Sequence, residues 1–304
     1  MGIVQSIIYQ SVVYLTPVLL CVLGGIFAYR ANVLNIALEG MMMAGSFVSV
    51  LVAYLSNNIF LGYITALIIC LILGGIFALT GVCLKGNVIV VGLAINMLVP
   101  AVAGFILKIM AIPSITLPWF SSNSILINIP IINKIPIIGA IFSGHPPITY
   151  ISYIMIAFMT VLMYKTSFGV HVRVVGENED AAISLGLKTN FYKITAVLIG
   201  AACCALAGIN LALERLALYT NNMTAGRGFI AIAAIYCGRG KPVSCALYAV
   251  LFSITNALAE YFSLQVSASL LLKVVPYVVM VIVLSAASIF NRRMNKVRGA
   301  FSEN

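Results

Sequence analysis

The sequence contains few charged residues: they make up 8% of its 304 positions, and only seven are Asp or Glu. Soluble globular domains carry about 25% charged residues. Because 62% of the residues here are hydrophobic, a soluble fold of this size could not bury the apolar surface. The lipid bilayer must therefore be the solvent for most of the chain.

The sequence also lacks the residue patterns of enzymes. It has two histidines, His145 and His171, both in predicted loops, and no zinc-protease, serine-hydrolase or phosphate-loop motif. Its seven cysteines form no C-x-x-C pair and are expected to pack as small apolar residues. We therefore expect no enzymatic activity, no metal and no bound cofactor, and any ATP would be bound by a partner subunit.

Nine apolar runs indicate membrane spans, since a helical span needs about 20 apolar residues. Continuous apolar runs exclude a barrel, whose strands alternate in polarity. The short seventh run predicts a broken or re-entrant segment, or a span extended back through Met223. We expect an all-α, polytopic transmembrane helix bundle of about nine spans (range 8–10) in a single domain, 1–304. The runs are 7–29, 34–55, 59–84, 88–107, 148–164, 192–213, 228–238, 243–262 and 270–290.

The distribution of Lys and Arg predicts the orientation. With a cytoplasmic C-terminus, nine spans leave twelve of the 17 basic residues inside and five outside, as the positive-inside rule requires. The N-terminus is then outside the cell membrane. This placement of the basic residues explains the net charge of +10 without nucleic-acid binding. Those outside are Lys108, Lys134, Arg215, Arg227 and Lys273, and those inside are Arg30, Lys85, Lys165, Arg173, Lys188, Lys193, Arg239, Lys241, Arg292, Arg293, Lys296 and Arg298.

Two loops are long. The extracytoplasmic segment 109–147 holds six of the ten prolines and the single Trp119, and the proline spacing excludes one continuous helix. We expect a connector that packs at the outer mouth or on the membrane surface, with a role in receiving an outside partner as the alternative. The inside segment 165–191 is the most polar stretch of the chain.

The inside segment predicts a helix of about two turns. Asn178 can cap its start, and Gly186 can end it in the left-handed conformation. The helix dipole favours acidic residues in the first turn, where Glu179 and Asp180 stand. A helix this short needs a surface on which to dock. Its small apolar face consists of Ala181, Ala182 and Leu185.

Polar residues in the apolar runs are the candidates for a transport path, because a buried amide or charge in a bilayer tends to be paired or functional. Interhelical hydrogen bonds are the alternative for each of them. The candidates are Asn35 with Glu39, Asn210 with Glu214 and Asn256 with Glu260, each pair on one helix face, and Asn96 alone.

Small residues recur every four positions in 192–213. A stripe of this kind lets neighbouring helix backbones approach closely, which predicts a central, protein-buried helix. Its members are Ala196, Gly200, Cys204, Gly208 and Ala212.

Three segments together resemble the ABC-importer permeases of the nucleoside and simple-sugar type, a branched-chain amino-acid permease-like family. The second-helix motif of that family is similar to 33–47, VLNIALEGMMMAGSF. Its cytoplasmic coupling segment is similar to 168–187, FGVHVRVVGENEDAAISLGL, and its third signature to 222–242, NMTAGRGFIAIAAIYCGRGKP. Tyr236-Cys237 departs from the more aliphatic pair that is usual there.

The resemblance implies a type II ABC-importer-like subunit. Its expected partners are a second permease subunit in a homo- or heterodimer, a cytoplasmic ABC ATPase and an extracytoplasmic solute-binding lipoprotein. The ATPase contact would be made by Gly176, Glu177, Asn178, Glu179, Asp180, Ala181, Ala182, Leu185 and Gly186. We expect Asn35, Glu39 and Asn96 to line the translocation path.

The motif NIALEG resembles the nucleoside branch best, so the expected function is the import of purine or pyrimidine nucleosides by alternating access. A simple-sugar or branched-chain amino-acid ABC permease is one alternative. Another is an ion-coupled secondary transporter, which would need titratable residues within its spans and internal repeats. The last alternative is a membrane-embedded enzyme or assembly scaffold.

Overall fold

The computed structural model describes residues 2–130, 136–263 and 274–286. These residues form twelve α-helices and one two-stranded antiparallel ribbon, β1 (Ser114–Thr116) with β2 (Leu218–Thr220). Turns of π-helix extend α3 over Leu79–Cys83 and α9 over Asn210–Glu214. The helices are α1 (Ile3–Arg30), α2 (Leu38–Ser56), α3 (Ile59–Ala78), α4 (Val88–Ile109), α5 (Pro136–Phe142), α6 (Pro147–Lys165), α7 (Ser167–Glu177), α8 (Glu179–Ser184), α9 (Thr189–Ile209), α10 (Arg227–Cys237), α11 (Pro242–Ser263) and α12 (Val275–Ala286).

Within the described residues, seven helices are long and apolar enough to cross a membrane: α1, α2, α3, α4, α6, α9 with its π-turn, and α11. They coincide with seven of the nine predicted runs. The seventh run forms the short α10, which follows a left-handed residue at Gly226 (φ +78°), and the ninth is described only as α12. The predicted all-α polytopic bundle is confirmed, and its seventh apolar run is broken.

Helix α9 lies at the centre of the bundle, against α1, α2 and α3. A Cβ at Gly208 would clash with the backbone of α2 at Met42, and one at Gly200 would lie 3.5 Å from the Gly24 carbonyl of α1. Cys204 between them is fully buried. The stripe of small residues therefore lies where the backbones of two neighbours approach α9 most closely.

The connecting segments gather at two ends of the bundle. The β1–β2 ribbon joins the start of the Pro-rich segment to the segment after α9. At the other end, Arg30 donates from Nε to the Gly240 carbonyl at 2.9 Å, and α7 packs Gly176 against the Arg30 carbonyl. Segments predicted to share one side of the membrane therefore lie together. Which end faces the cytoplasm stays a prediction.

Arg227, predicted to fall on the outer side of the membrane, is the first residue of α10, and its guanidinium lies 5.1 Å from the ring centroid of Tyr14 in α1. The prediction that His171 lies in a loop was wrong. His171 lies in α7, where its Nδ1 is 2.8 Å from the hydroxyl of Tyr192. Lys134, Lys273 and the basic residues at 292, 293, 296 and 298 fall outside the described residues.

The Pro-rich segment contains three short elements, β1, a 3₁₀ turn at Ser122–Ile125 and α5, so it is not one continuous helix. Trp119 and the α5 residues Ile137 and Ile138 are exposed. The segment thus presents exposed apolar side chains at one end of the bundle; the neighbouring positions 131–135 are outside the described residues.

Candidate functional site

The chain between α1 and α2 turns back into the bundle. Residues 31–37 contain no helix, and Leu38 at the start of α2 packs beside Gly25 of α1, where a Cβ would lie 3.0 Å from Leu38 Cδ1. Because α2 begins inside the bundle, the N–H groups of its first turn need partners there. Irregular backbone at membrane depth is tolerated only where protein or a cavity surrounds it.

Asn96 of α4 supplies some of these partners. Its Oδ1 accepts the backbone N–H of Gly40 at 2.7 Å, and its Nδ2 donates to the Ile36 carbonyl at 2.9 Å. Both polar atoms of the amide are therefore used within the chain. These contacts are the interhelical hydrogen bonds that formed the alternative to a path-lining role.

Glu39 lies buried in the first turn of α2 and binds the start of α10. Its Oε1 accepts from the Thr224 hydroxyl at 2.6 Å and from the Gly226 N–H at 2.9 Å, and its Oε2 accepts from the Gly228 N–H at 2.5 Å. The N-terminal ends of two helices thus meet at one carboxylate, where both dipoles favour negative charge. All its described contacts hold α2 and α10 together.

Asn35 differs from Asn96 and Glu39 in its hydrogen bonding. Its Oδ1 accepts the N–H of Ala37 at 3.0 Å, but its buried Nδ2 has no hydrogen-bond partner among the described residues. An unsatisfied buried donor costs about 1–3 kcal/mol, so such groups tend to be kept for a ligand or water. Of the three predicted path residues, only Asn35 has a buried side-chain nitrogen with no partner among the described residues.

A polar cavity leads from the α7 end of the bundle toward Asn35. It has a volume of about 390 Å³, and we call it the vestibule. Tyr29, Val33, Leu34 and Tyr236 line both the vestibule and a narrow space that reaches Asn35. The vestibule is lined by Tyr29, Arg30, Asn32, Val33, Leu34, Val88, Arg173, Gly176, Glu177 and Tyr236.

The segment 165–191, which we call the coupling segment, folds into α7 and α8. Thr166 caps α7 by accepting the Gly169 N–H at 3.2 Å, and Asn178 caps α8 by accepting the Ala181 N–H at 3.0 Å. Gly186 follows α8 with φ +76°. The α8 cap and its left-handed end are present as predicted, whereas α7 was missed.

α7 is fastened to the end of α1. Val172 and Val175 are buried, and a Cβ on Gly176 would collide with the Arg30 carbonyl. The close contact at Gly176 therefore leaves α7 little freedom to move independently of α1 and of the irregular segment that leads to Asn35.

α8 projects from this base. Only Ala182 of its predicted apolar face is buried, while Ala181 is exposed, and Ile183 and Leu185 are 56% and 74% exposed. Of the predicted apolar face, Ala182 therefore packs within the chain, whereas Ala181 and Leu185 do not; that this face docks on a partner stays a prediction. Glu179 is tied to α9 by Lys193, whose Nζ lies 2.6 Å from Glu179 Oε2.

A second buried polar network lies near the β1–β2 ribbon. Glu214 in the π-turn of α9 accepts from Tyr63 of α3 at 2.7 Å and from Asn210 at 2.8 Å. Beside it, Arg215 donates from Nη2 to His145 Nδ1 at 3.2 Å. The predicted Asn210–Glu214 pair is therefore a structural pair that joins α3 to α9.

His145 links this network to α5. Its Nε2 lies 2.9 Å from the Ala140 carbonyl, and its ring stacks on Tyr9 at 4.7 Å between centroids. Burial lowers the pKa of His145 to about 4, so the ring is neutral at neutral pH. Its Nε2 then carries the proton toward Ala140, and its Nδ1 accepts from Arg215. Nothing in the sequence pattern indicated this link.

The described residues contain no group of three His, Cys, Asp or Glu side chains that could hold a metal ion. All seven cysteines lie in this part of the chain and are unpaired, and six are buried. The candidate site consists of the turn at Asn35, the vestibule and the coupling segment.

Over most of its length, the chain is similar to known membrane transport proteins. Residues 7–284 match the family described as branched-chain amino acid transport system / permease component. The nucleoside ABC transporter permease protein NupC of Lactococcus lactis subsp. cremoris is 28% identical over 92% of each chain. The guanosine ABC transporter permease protein NupQ of Bacillus subtilis is 31% identical over 86% of this chain and 84% of its own.

A more distant relative is the putative glucose ABC transporter permease protein TsgC13 of Haloferax volcanii, 25% identical over 85% of this chain and 78% of its own. No solved structure matches the chain. With the family matched over nearly the whole bundle, the chain belongs to the permease components of the branched-chain amino acid transport system family.

Proposed function

We propose that this chain is the membrane-spanning permease subunit of an ATP-driven ABC importer of nucleosides. It lies in the cell membrane with its N-terminus outside, pairs with a second permease, and works with a cytoplasmic ABC ATPase and a solute-binding lipoprotein. The nucleoside specificity rests on the relatives NupC and NupQ and on the NIALEG motif. The chain itself has no phosphate-loop motif, and the ATP is bound by the partner ATPase.

The observation that carries the proposal is the shape of the coupling segment. α8 is a short helix that buries one alanine and exposes Ile183 and Leu185 at the end of the bundle. Residues 176–186 are the contact with the ATPase, and their exposed apolar side chains enter a groove of that partner. The partner completes the apolar packing that α8 lacks within this chain.

Movement of the ATPase reaches the path through α7. Because Gly176 of α7 packs on the Arg30 carbonyl, a displacement of α7 displaces the end of α1 and the segment 31–37. That segment carries Asn35 at the inner end of the vestibule. α7, the end of α1 and the segment 31–37 move as one unit. The two positions of this unit correspond to the two states that alternating access requires.

The alternatives predict different energetics. A simple-sugar or branched-chain amino-acid importer would share the coupling but not the solute. An ion-coupled transporter would need a titratable group free to exchange its ion. Glu39 and Glu214 are buried, but both accept hydrogen bonds that hold helices together, so neither is well placed for that exchange. Among the described spans, this leaves Glu260 of α11 as the acidic group that such a transporter would use.

Uptake in cells tests the proposal. Radiolabelled guanosine, glucose and leucine are offered to cells that express the complete importer and lack their own nucleoside uptake. We expect guanosine uptake that stops when ATP is depleted with the ion gradients maintained. Uptake that persists without ATP and stops when the ion gradients are collapsed would establish the secondary-transporter alternative.

A further inference from the structure

A second cavity lies on the far side of the Glu39 contact. It is an open cavity with a volume of about 270 Å³, lined by residues of α1, α10, α11 and α12. Five polar or aromatic side chains line it, together with smaller and apolar residues. They are Tyr14, Arg227, Asn256, Glu260 and Tyr277.

Arg227 is held in place at the mouth of α10. Its Nη1 donates to the Met223 carbonyl at 3.1 Å, and its guanidinium lies over the Tyr14 ring. The preceding residues are fixed by Glu39, which accepts the Gly226 N–H, and by Tyr277, whose hydroxyl donates to the Ala225 carbonyl at 2.8 Å. A guanidinium has five N–H donors, so these contacts leave donors available to a bound molecule.

Glu260 brings the opposite charge to the same cavity. No side-chain N···O distance within 4.0 Å pairs it with Arg227 in the part of the chain that the structure describes. A molecule that accepts from the guanidinium and donates to the carboxylate satisfies both.

We propose that the cavity bounded by Arg227 and Glu260 is a transit site for the solute, selective for guanosine-like nucleosides. This inference rests on the function proposed above. On one edge, guanine presents an acceptor, O6, beside two donors, N1–H and N2–H. A carboxylate accepts from both donors, and a guanidinium is the preferred partner of the guanine O6 and N7 acceptors. The rings of Tyr14 and Tyr277 add aromatic surface for a base.

The size of the cavity agrees with this class of ligand. Small-molecule pockets have volumes of about 300–1,000 Å³, and this one lies just below that range, at about 270 Å³. It therefore suits a single small solute. Adenine fits the same groups less well. Its edge presents one acceptor, N1, beside one donor, the exocyclic amine. The N1 acceptor would then face the carboxylate, which is also an acceptor.

Glu260→Gln reverses this complementarity. The amide donates one hydrogen bond and accepts one, which matches adenine and leaves a guanine donor opposed by a donor. The loss of one hydrogen bond to a charged group reduces binding by about tenfold or more. Glu260 is exposed and is replaced by its isostere, so we expect normal insertion.

The test is a competition for uptake between labelled guanosine and adenosine in cells that express the complete importer. The binding lipoprotein is the same in every strain, so a change in the guanosine-to-adenosine ratio arises in the permease. We expect Glu260→Gln to lower that ratio at least about tenfold, and Glu260→Asp to retain most of it. Thr255→Val is the matched control, since Thr255 bonds only the Leu251 carbonyl of its own helix among the described residues.

The outcomes distinguish a failure of the proposed function from a failure of the transit site. If the wild type imports no nucleoside, the proposed function itself fails. If it imports nucleosides and Glu260→Gln leaves the ratio unchanged, or lowers uptake of both equally, the transit site is refuted and the importer stands. If Thr255→Val lowers the guanosine-to-adenosine ratio by as much as Glu260→Gln does, the transit site is also refuted.

Discussion

Gly228 donates its backbone N–H to Glu39 Oε2 at 2.5 Å, although 189 positions separate the two residues. All three groups that contact this carboxylate are donors, so only a group that accepts on both oxygens satisfies them. The contact joins the broken seventh apolar run to the start of α2.

Replacing Glu39 by Gln should therefore destabilise the chain. The amide NH₂ would face a donor, and one unsatisfied buried N–H costs about 1–3 kcal/mol. We expect a lower thermal unfolding temperature for the purified chain in detergent. Thr224→Val removes one of the three donors and should have a smaller effect. An unchanged unfolding temperature in Glu39→Gln would show that the carboxylate does not hold α10.

Asn35 and Asn96 should respond oppositely to substitution. Asn96→Leu removes two interhelical hydrogen bonds and should lower thermal stability. Asn35→Ser keeps an acceptor for the Ala37 N–H and removes only the unpartnered Nδ2. We expect it to preserve or raise stability, because it removes an unsatisfied donor, and to reduce uptake several-fold. Stable protein with full uptake in Asn35→Ser would remove Asn35 from the path.

Gly176→Ala should abolish transport without preventing insertion. Any Cβ at this position meets the Arg30 carbonyl, so α7 must move away from α1. The matched control is Gly75→Ala, because a Cβ there meets nothing within 4 Å and alanine favours a helix. Uptake is compared with the amount of protein in the membrane. Normal uptake by Gly176→Ala would contradict the coupling pathway.

The contact between Glu179 and Lys193 makes the position of α8 sensitive to acid. The hydrogen bond from Lys193 lowers the pKa of Glu179 below its unfolded value of about 4.3. The contact is therefore fully stabilising above that value and is lost as the pH falls through the folded pKa. Hydrogen exchange of α8, corrected for the intrinsic rate, should accelerate at acidic pH in the wild type. In Lys193→Met it should already be fast at neutral pH; slow exchange there would argue against the contact.

Local signals in the sequence predict local structure well. The Asn178 cap and the left-handed Gly186 each depend on a few neighbouring residues, and the stripe through Gly200 and Gly208 follows from helical periodicity. The nine apolar runs predict a helical bundle, because a span in lipid must form its backbone hydrogen bonds within itself.

Long-range polar partners could not be predicted. Glu39 and Asn96 stood out as polar groups in apolar runs, but their partners are brought close only by the fold, and Gly40 and Asn96 are 56 positions apart. Arg227 was counted among the outside residues because the positive-inside rule treats every basic residue between apolar runs as a topology signal. The turn at Gly226 places it at the start of α10.

The central claim is that the coupling segment binds a cytoplasmic ATPase, and co-purification tests it most directly. The tagged full-length chain is isolated from its own cells in mild detergent, and the bound proteins are identified by mass spectrometry. We expect an ABC ATPase with the wild type and with Gly75→Ala, and its loss with Gly176→Ala. Recovery of the wild-type chain without any ATPase, from cells whose uptake follows an ion gradient, would contradict the account.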